Sequence, residues 1–185
     1  MQVIKYPTRA TWSDIIQRPT QSLETIEQKV IPILQEVKSR GDEALKHYSK
    51  LFDGVEMDSL EVTKEEINKA VNSVSEELKE AINIAYNNIQ VFHRQQQGAA
   101  DITETMPGVQ CWRKSVGIEK VGLYIPGGSA PLFSTVLMLA VPAQIAGCSE
   151  IILCSPPDKT GSIHPAILYT ANLCGIKKIF KAGGA

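Results

Sequence analysis

Val121-Gly122-Leu123-Tyr124-Ile125-Pro126-Gly127-Gly128-Ser129-Ala130-Pro131-Leu132-Phe133-Ser134-Thr135 is the stretch whose reading decides the fold. An apolar, strand-like run ends in a Pro-Gly-Gly turn, and Ser134-Thr135 then opens a long apolar run from Val136 to Ala146. That is a strand, a glycine loop and a helix in succession. Glycines let the backbone take positive φ and let a ligand approach bare amides. A helix starting just past the loop turns unpaired N–H groups and the positive end of its dipole toward the same place. An anion or a dinucleotide suits such a place. Pro-Gly-Gly is also an ordinary turn. The spacing matches neither G-x-G-x-x-G nor G-x-x-x-x-G-K-[ST], so the pattern leaves both readings standing.

Downstream of the loop, Thr135 to Gly147 is almost wholly apolar, which predicts a helix buried on most sides. Pro142 predicts a kink in it or an early stop. Ser149 to Cys154 reads as a short buried strand halted by Ser155-Pro156-Pro157. Ile163 to Leu173 reads as a helix stopped by Gly175, and Lys177 to Lys181 as a third strand before a second glycine loop, Ala182 to Ala185. Strands and helices alternating at this spacing predict a parallel β-α-β-α-β unit with right-handed crossovers. Three strands without a final covering helix would leave an edge and an apolar face open. The sequence therefore reads as a piece of something longer.

Upstream, the period is alternating from Asp101 to Met106 and from Val109 to Val116, two strands of a hairpin around Pro107-Gly108. Before residue 100 it is helical. Thr11 caps a short helix stopped before Pro19. Leu23, Ile26, Val30, Ile33, Leu34 and Val37 fall at helical spacing between Ser22 and Arg40, with Pro32 expected to bend or break that helix. Gly41 is a stop, and Asp42 caps a helix from Glu43 to Phe52 with Leu45, Tyr48, Leu51 and Phe52 on one face. Asp53-Gly54 is a turn, followed by a short extended piece at Leu60 to Val62. Thr63 to Glu66 is a capping box, and Ser73 to Glu76 reads as a second one. It opens a helix to about Gln97 with Leu78, Ile82, Ala85, Ile89 and Phe92 on one stripe. The predicted class is α/β: residues 1–100 a helical arm forming part of a first domain, 101–117 a hairpin connection, and 118–185 the first half of a Rossmann-like unit.

Composition narrows the rest. With 185 residues, 43% hydrophobic and 21% charged, the chain carries a packed core. A net charge of −1 gives no electrostatic footprint for nucleic acid and no basic face for a membrane surface. No apolar run is long enough to span a bilayer, and Met1 to Pro7 holds no hydrophobic signal region. Cys111, Cys148, Cys154 and Cys174 form no C-x-x-C pair and read as buried, reduced thiols in a cytosolic protein. His47, His93 and His164 lack metal-ligand spacing.

The segment "VGLYIPGGSAPLFSTVLMLAVPAQIAG" (121–147) closely resembles the most characteristic segment of the histidinol dehydrogenase family. The resemblance continues through "CSEIILCSPP" (148–157) and "LCGIKKIFKAGGA" (173–185), and upstream through "VKSRGDEALKHYSKLFD" (37–53) and "PGVQCWRKSV" (107–116). It implies a cytoplasmic, zinc-containing, intertwined homodimer. Such an enzyme oxidises L-histidinol to L-histidine through an aldehyde, with two NAD as hydride acceptors, at the end of histidine biosynthesis. It also implies that Tyr124 contacts NAD, with Pro126, Gly127 and Gly128 shaping that side of the site. Ser129 and Ser134 could each bond a phosphate or simply cap the helix.

The family's zinc ligands and its glutamate–histidine acid/base pair fall in a later portion. No catalytic and no metal-binding residue is therefore expected in this chain. By itself the chain is expected to hold no zinc and to lack dehydrogenase activity. In the complete enzyme, metal orientation and a general base share the work, and the nicotinamide carries the redox step. Two rivals are a semialdehyde dehydrogenase relative, which needs a reactive cysteine, and a non-catalytic dimerisation or scaffold fragment.

Overall fold

The computed structural model describes residues 3–17, 23–98, 101–128 and 130–183. Helix α1 (Trp12–Ile16) follows a 3-10 turn. The elements after it are α2 (Leu23–Arg40), α3 (Asp42–Tyr48), α4 (Lys64–Ser73) and α5 (Glu76–Arg94). The hairpin is β1 (Thr103–Met106) and β2 (Val109–Cys111). The α/β unit is β3 (Lys120–Tyr124), α6 (Phe133–Ile145), β4 (Glu150–Ser155), α7 (Pro165–Leu173) and β5 (Lys178–Lys181).

Strands β3, β4 and β5 form a parallel sheet in that spatial order. Because each crossover steps the same way, α6 and α7 lie side by side on one face of it. Alternation does the rest. Leu123, Ile125, Leu153 and Ile179 point under the helices and are 0–8% exposed. A further layer sits outside: α5 packs on α6 and α4 on α7. One hydrophobic core thus runs from Val62, Ile67, Val74 and Ile82 through Val136, Leu137 and Val141 to the sheet.

The opposite face of the sheet carries Gly122, Tyr124, Ile152, Cys154 and Phe180, none of them buried. The open apolar face expected of three strands is therefore present. One edge is closed. The amide of Val62 donates to Ile179 and that of Lys181 to Leu60, so residues 60–62 add an antiparallel piece beside β5.

Local signals hold where they are local. Thr63 accepts from the Glu66 amide while Glu66 accepts from the Thr63 amide, a complete capping box. Others shift. The second start is Ser75, which accepts from Leu78; Ser73 closes α4, its hydroxyl donating to the Ala70 carbonyl. Thr11 does not cap α1, because its hydroxyl turns back to the Thr8 carbonyl. Asp42 lies inside the first turn of α3, behind Gly41, whose φ of 57° suits only a residue without a side chain. Neither proline ends its helix: Pro32 lies inside α2, and α6 runs three residues beyond Pro142. The proposed start of α2 at Ser22 lies outside the described residues.

Three burial expectations are corrected. Helix α6 is not buried on most sides: Val136, Leu137, Ala140 and Val141 are fully buried, while Met138 is 57% and Leu139 39% exposed. The sheet, α5 and α7 pack against it, and the flank that carries Met138 and Leu139 is left exposed. Cys111 is exposed, because the hairpin stands off the core, and Cys148 and Cys154 are half-buried; only Cys174 is buried. Leu51, Phe52 and Phe92 lie outside the core despite their spacing, since no described element faces them.

Candidate functional site

In an open parallel sheet every strand points its carboxyl end, and the loop after it, to the same edge, and ligands of such folds bind there. Here the loops after β3 and β4 come together at that edge, and Gly183, just beyond β5, closes up against them. They enclose a cleft of about 480 Å³ walled by Pro126, Gly127 and Gly128 on one side and Ser155, Pro156 and Pro157 on the other. Its size falls in the ordinary range for small-molecule sites.

The two loop glycines are there for different reasons. A Cβ on Gly127 would lie 2.7 Å from Cγ of Pro156, so the loop presses against the β4 loop and admits no side chain. A Cβ on Gly128 would meet nothing within 4 Å. It lies exposed beside the cleft, with open space next to its backbone. Ser129 lies outside the described residues. Ser134 does not cap α6, where Leu132 holds the N-cap position without a side-chain acceptor.

Tyr124 is placed apart from the loop residues. It is 46% exposed on the open face of the sheet, paired across the strands with Cys154 and through it with Phe180. A ligand reaching both Tyr124 and the cleft must therefore pass over the carboxyl edge of β3.

Two further groups enter the cleft that sequence reasoning did not assign. His164 caps α7, its Nδ1 accepting from the Ala166 amide at 3.2 Å, which leaves Nε2 to carry the proton. Asp53 arrives from the end of the π-helical turn Ser49–Asp53 and abuts Gly183 and Pro156. Burial alone pushes its carboxyl up from the ordinary value. Nearby, desolvation works to raise the Asp158 carboxyl, but the Thr160 hydroxyl and the Ser162 and Thr160 amides outweigh it and hold it low.

A reactive thiol is not on offer at the carboxyl edge. Burial raises Cys154, and it pushes Cys174 up to about 12, so neither is a ready thiolate. Among the described residues no three His, Cys, Asp or Glu side chains stand close enough to hold a metal ion. A larger cavity of about 1000 Å³ opens where α5 and α6 end, lined by Trp112, Arg113, Lys114 and Ile145, but that is the opposite edge of the sheet.

An α6–α7 layer on a sequential parallel sheet, with a glycine loop at the strand carboxyl ends, makes this an α/β chain with a partial Rossmann-like unit. The histidinol dehydrogenase family model matches residues 16–185. Histidinol dehydrogenase of Bacteroides thetaiotaomicron is 56% identical over 184 residues, covering 100% of this chain and 43% of its own length. That of Escherichia coli K12 is 50% identical over 172 residues, covering 92% and 39%. The crystal structure of histidinol dehydrogenase from Elizabethkingia anophelis superposes with a TM-score of 0.88 at 51% identity, over 96% of this chain and 41% of that one. The chain belongs to the histidinol dehydrogenase family, and it spans 39–43% of the length of these relatives.

Proposed function

We propose that this chain is the amino-terminal part of a histidinol dehydrogenase and supplies the dinucleotide-facing wall of its site. In this reading the complete protein oxidises L-histidinol to L-histidine with NAD as hydride acceptor, in the cytoplasm. The observation that carries the assignment is the exposed backbone of Gly128 at the carboxyl edge of a parallel sheet, beside a cleft with room for part of a nucleotide. NAD would bring the hydride chemistry. The work of this chain is to bind and orient it: Tyr124 offers a ring and a hydroxyl, while Pro126, Gly127 and Gly128 give a stiff, closely packed wall.

Helices α1 and α2 favour a second element of the proposal. Trp12, Ile16, Ile26, Val30, Ile31 and Leu34 are 41–77% exposed, far more than a solitary surface helix needs. In a homodimer these side chains would be covered by the partner. Light scattering of the complete protein should then give twice the subunit mass, and a monomer would remove this element.

Steady-state kinetics test the nucleotide assignment. In a full-length histidinol dehydrogenase carrying this sequence, Tyr124→Ala should raise the KM for NAD about tenfold, the worth of one aromatic contact. Its zinc content should not change. An unaltered NAD dependence would make Tyr124 a packing residue of the sheet face.

A further inference from the structure

We infer that Asp53 is the cofactor-specificity residue of the cleft: its carboxylate accepts a hydrogen bond from a ribose hydroxyl of NAD and excludes a 2′-phosphate. The inference rests on the nucleotide assignment above.

The cleft has an unusual inventory. Pro126, Pro131, Pro156 and Pro157 line it, and proline has no backbone N–H to offer. Neither lysine nor arginine is among its described lining residues; its charged members are Asp53 and Asp158. A wall with two carboxylates and no lysine or arginine among its described residues suits an uncharged, hydroxyl-bearing part of a ligand over a phosphate. The phosphates of a bound dinucleotide would then lie toward the open side, at Gly128.

Of the two carboxylates, Asp158 is already satisfied. Its Oδ1 accepts from the Thr160 amide and hydroxyl and from the Ser162 amide, at 2.6–3.1 Å. Asp53 differs. Among the described residues no hydrogen bond and no ion pair reaches its carboxylate, although the group is partly taken out of water. A desolvated carboxylate wants donors. Its position is also closely packed: a Cβ on Gly183 would lie 3.1 Å from Oδ2 and 3.2 Å from Cβ of Pro156, so a side chain there would have to push its neighbours aside by a few tenths of an ångström. The residue is brought by the helical segment rather than by the sheet, from 130 positions before Gly183 in sequence. The helical segment and the strand ends therefore build the cleft jointly.

The test uses the complete enzyme and titration calorimetry with NAD and with NADP. Asp53→Asn keeps the shape and removes the charge. NAD should bind about tenfold more weakly, the worth of one charge-assisted hydrogen bond. NADP should bind no more weakly than before, so the preference for NAD shrinks about tenfold or more. Asp53→Glu should keep the preference. Equal weakening of both cofactors with a lowered melting temperature would show a structural role only and overturn the inference. So would unchanged affinities. A wild-type enzyme that binds NAD while Asp53→Asn behaves identically refutes Asp53 alone; a wild-type enzyme that binds no NAD refutes the nucleotide assignment as well.

Discussion

Helices α2 and α5 are 18 and 19 residues long, and both carry an apolar stripe. On α5, Ile82 is 1% exposed, and Leu78, Ala85 and Ile89 pack against the hydrophobic core. On α2, Ile26, Val30, Ile31 and Leu34 remain 41–57% exposed. The same periodicity thus serves two ends. Spacing fixes which side of a helix wants to be covered, and says nothing of what covers it. One stripe is satisfied within the chain, and much of the other is left exposed.

The comparison breaks first if core and arm respond alike to truncation. Leu153 is fully buried at the centre of the sheet, and Leu153→Ala should cost about 3 kcal/mol in urea unfolding, from lost transfer energy plus a cavity. Next is Gly117, which joins the hairpin to β3. A Cβ there would overlap the Ala146 carbonyl oxygen and lie 2.9 Å from the Gly147 carbonyl carbon. Backbone cannot swing aside as a side chain can, so Gly117→Ala should cost about 2 kcal/mol. A loss under about 0.5 kcal/mol would show that this connection yields as freely as the arm.

The third effect joins the helical layer to the sheet. Lys181 on β5 reaches Glu66 on α4 at 2.5 Å, with side chains 11% and 32% exposed. Desolvation works to raise the Glu66 carboxyl, but the Lys181 and Thr63 hydrogen bonds outweigh it and hold it below the ordinary 4.5. A depressed carboxyl stabilises the fold above its unfolded value and loses that contribution as the pH falls through the folded one. Glu66→Gln should therefore cost about 1 kcal/mol at neutral pH and progressively less as the pH is lowered from 4.5 into the acid range. An equal cost at neutral and acid pH would leave only the cap. Smallest is Leu34→Ala, which should change the stability of this 185-residue chain by less than about 0.5 kcal/mol. In a dimer its effect should instead appear in the association constant.

Much of the fold was legible because its causes are local. The Thr63–Glu66 box, the turn at Pro107-Gly108 and the alternation of strand and helix after residue 118 each depend on neighbours within a few positions. The candidate site was legible only in part. Pro126, Gly127 and Gly128 announce a loop, and the loop does wall a cleft. Nothing near Asp53 marks it as belonging there, since a carboxylate before a glycine reads as a turn. Cys111 shows the converse: an alternating strand reads as half-buried whether or not anything packs on it, and this thiol is exposed.

The sequence by itself determined the order and kind of the elements, the parallel unit, the glycine loop at its carboxyl edge and the resemblance that names the family. Those follow from periodicity, turn chemistry and motif, which act over short spans of chain. Only the tertiary structure decided that residues 60–62 close the edge of β5, that Tyr124 lies on the open sheet face while Gly127 packs on Pro156, and that Asp53 meets Gly183. Each is a contact between residues from about 30 to 130 positions apart. Such contacts form because the helices can bury their stripes in only one arrangement over this sheet.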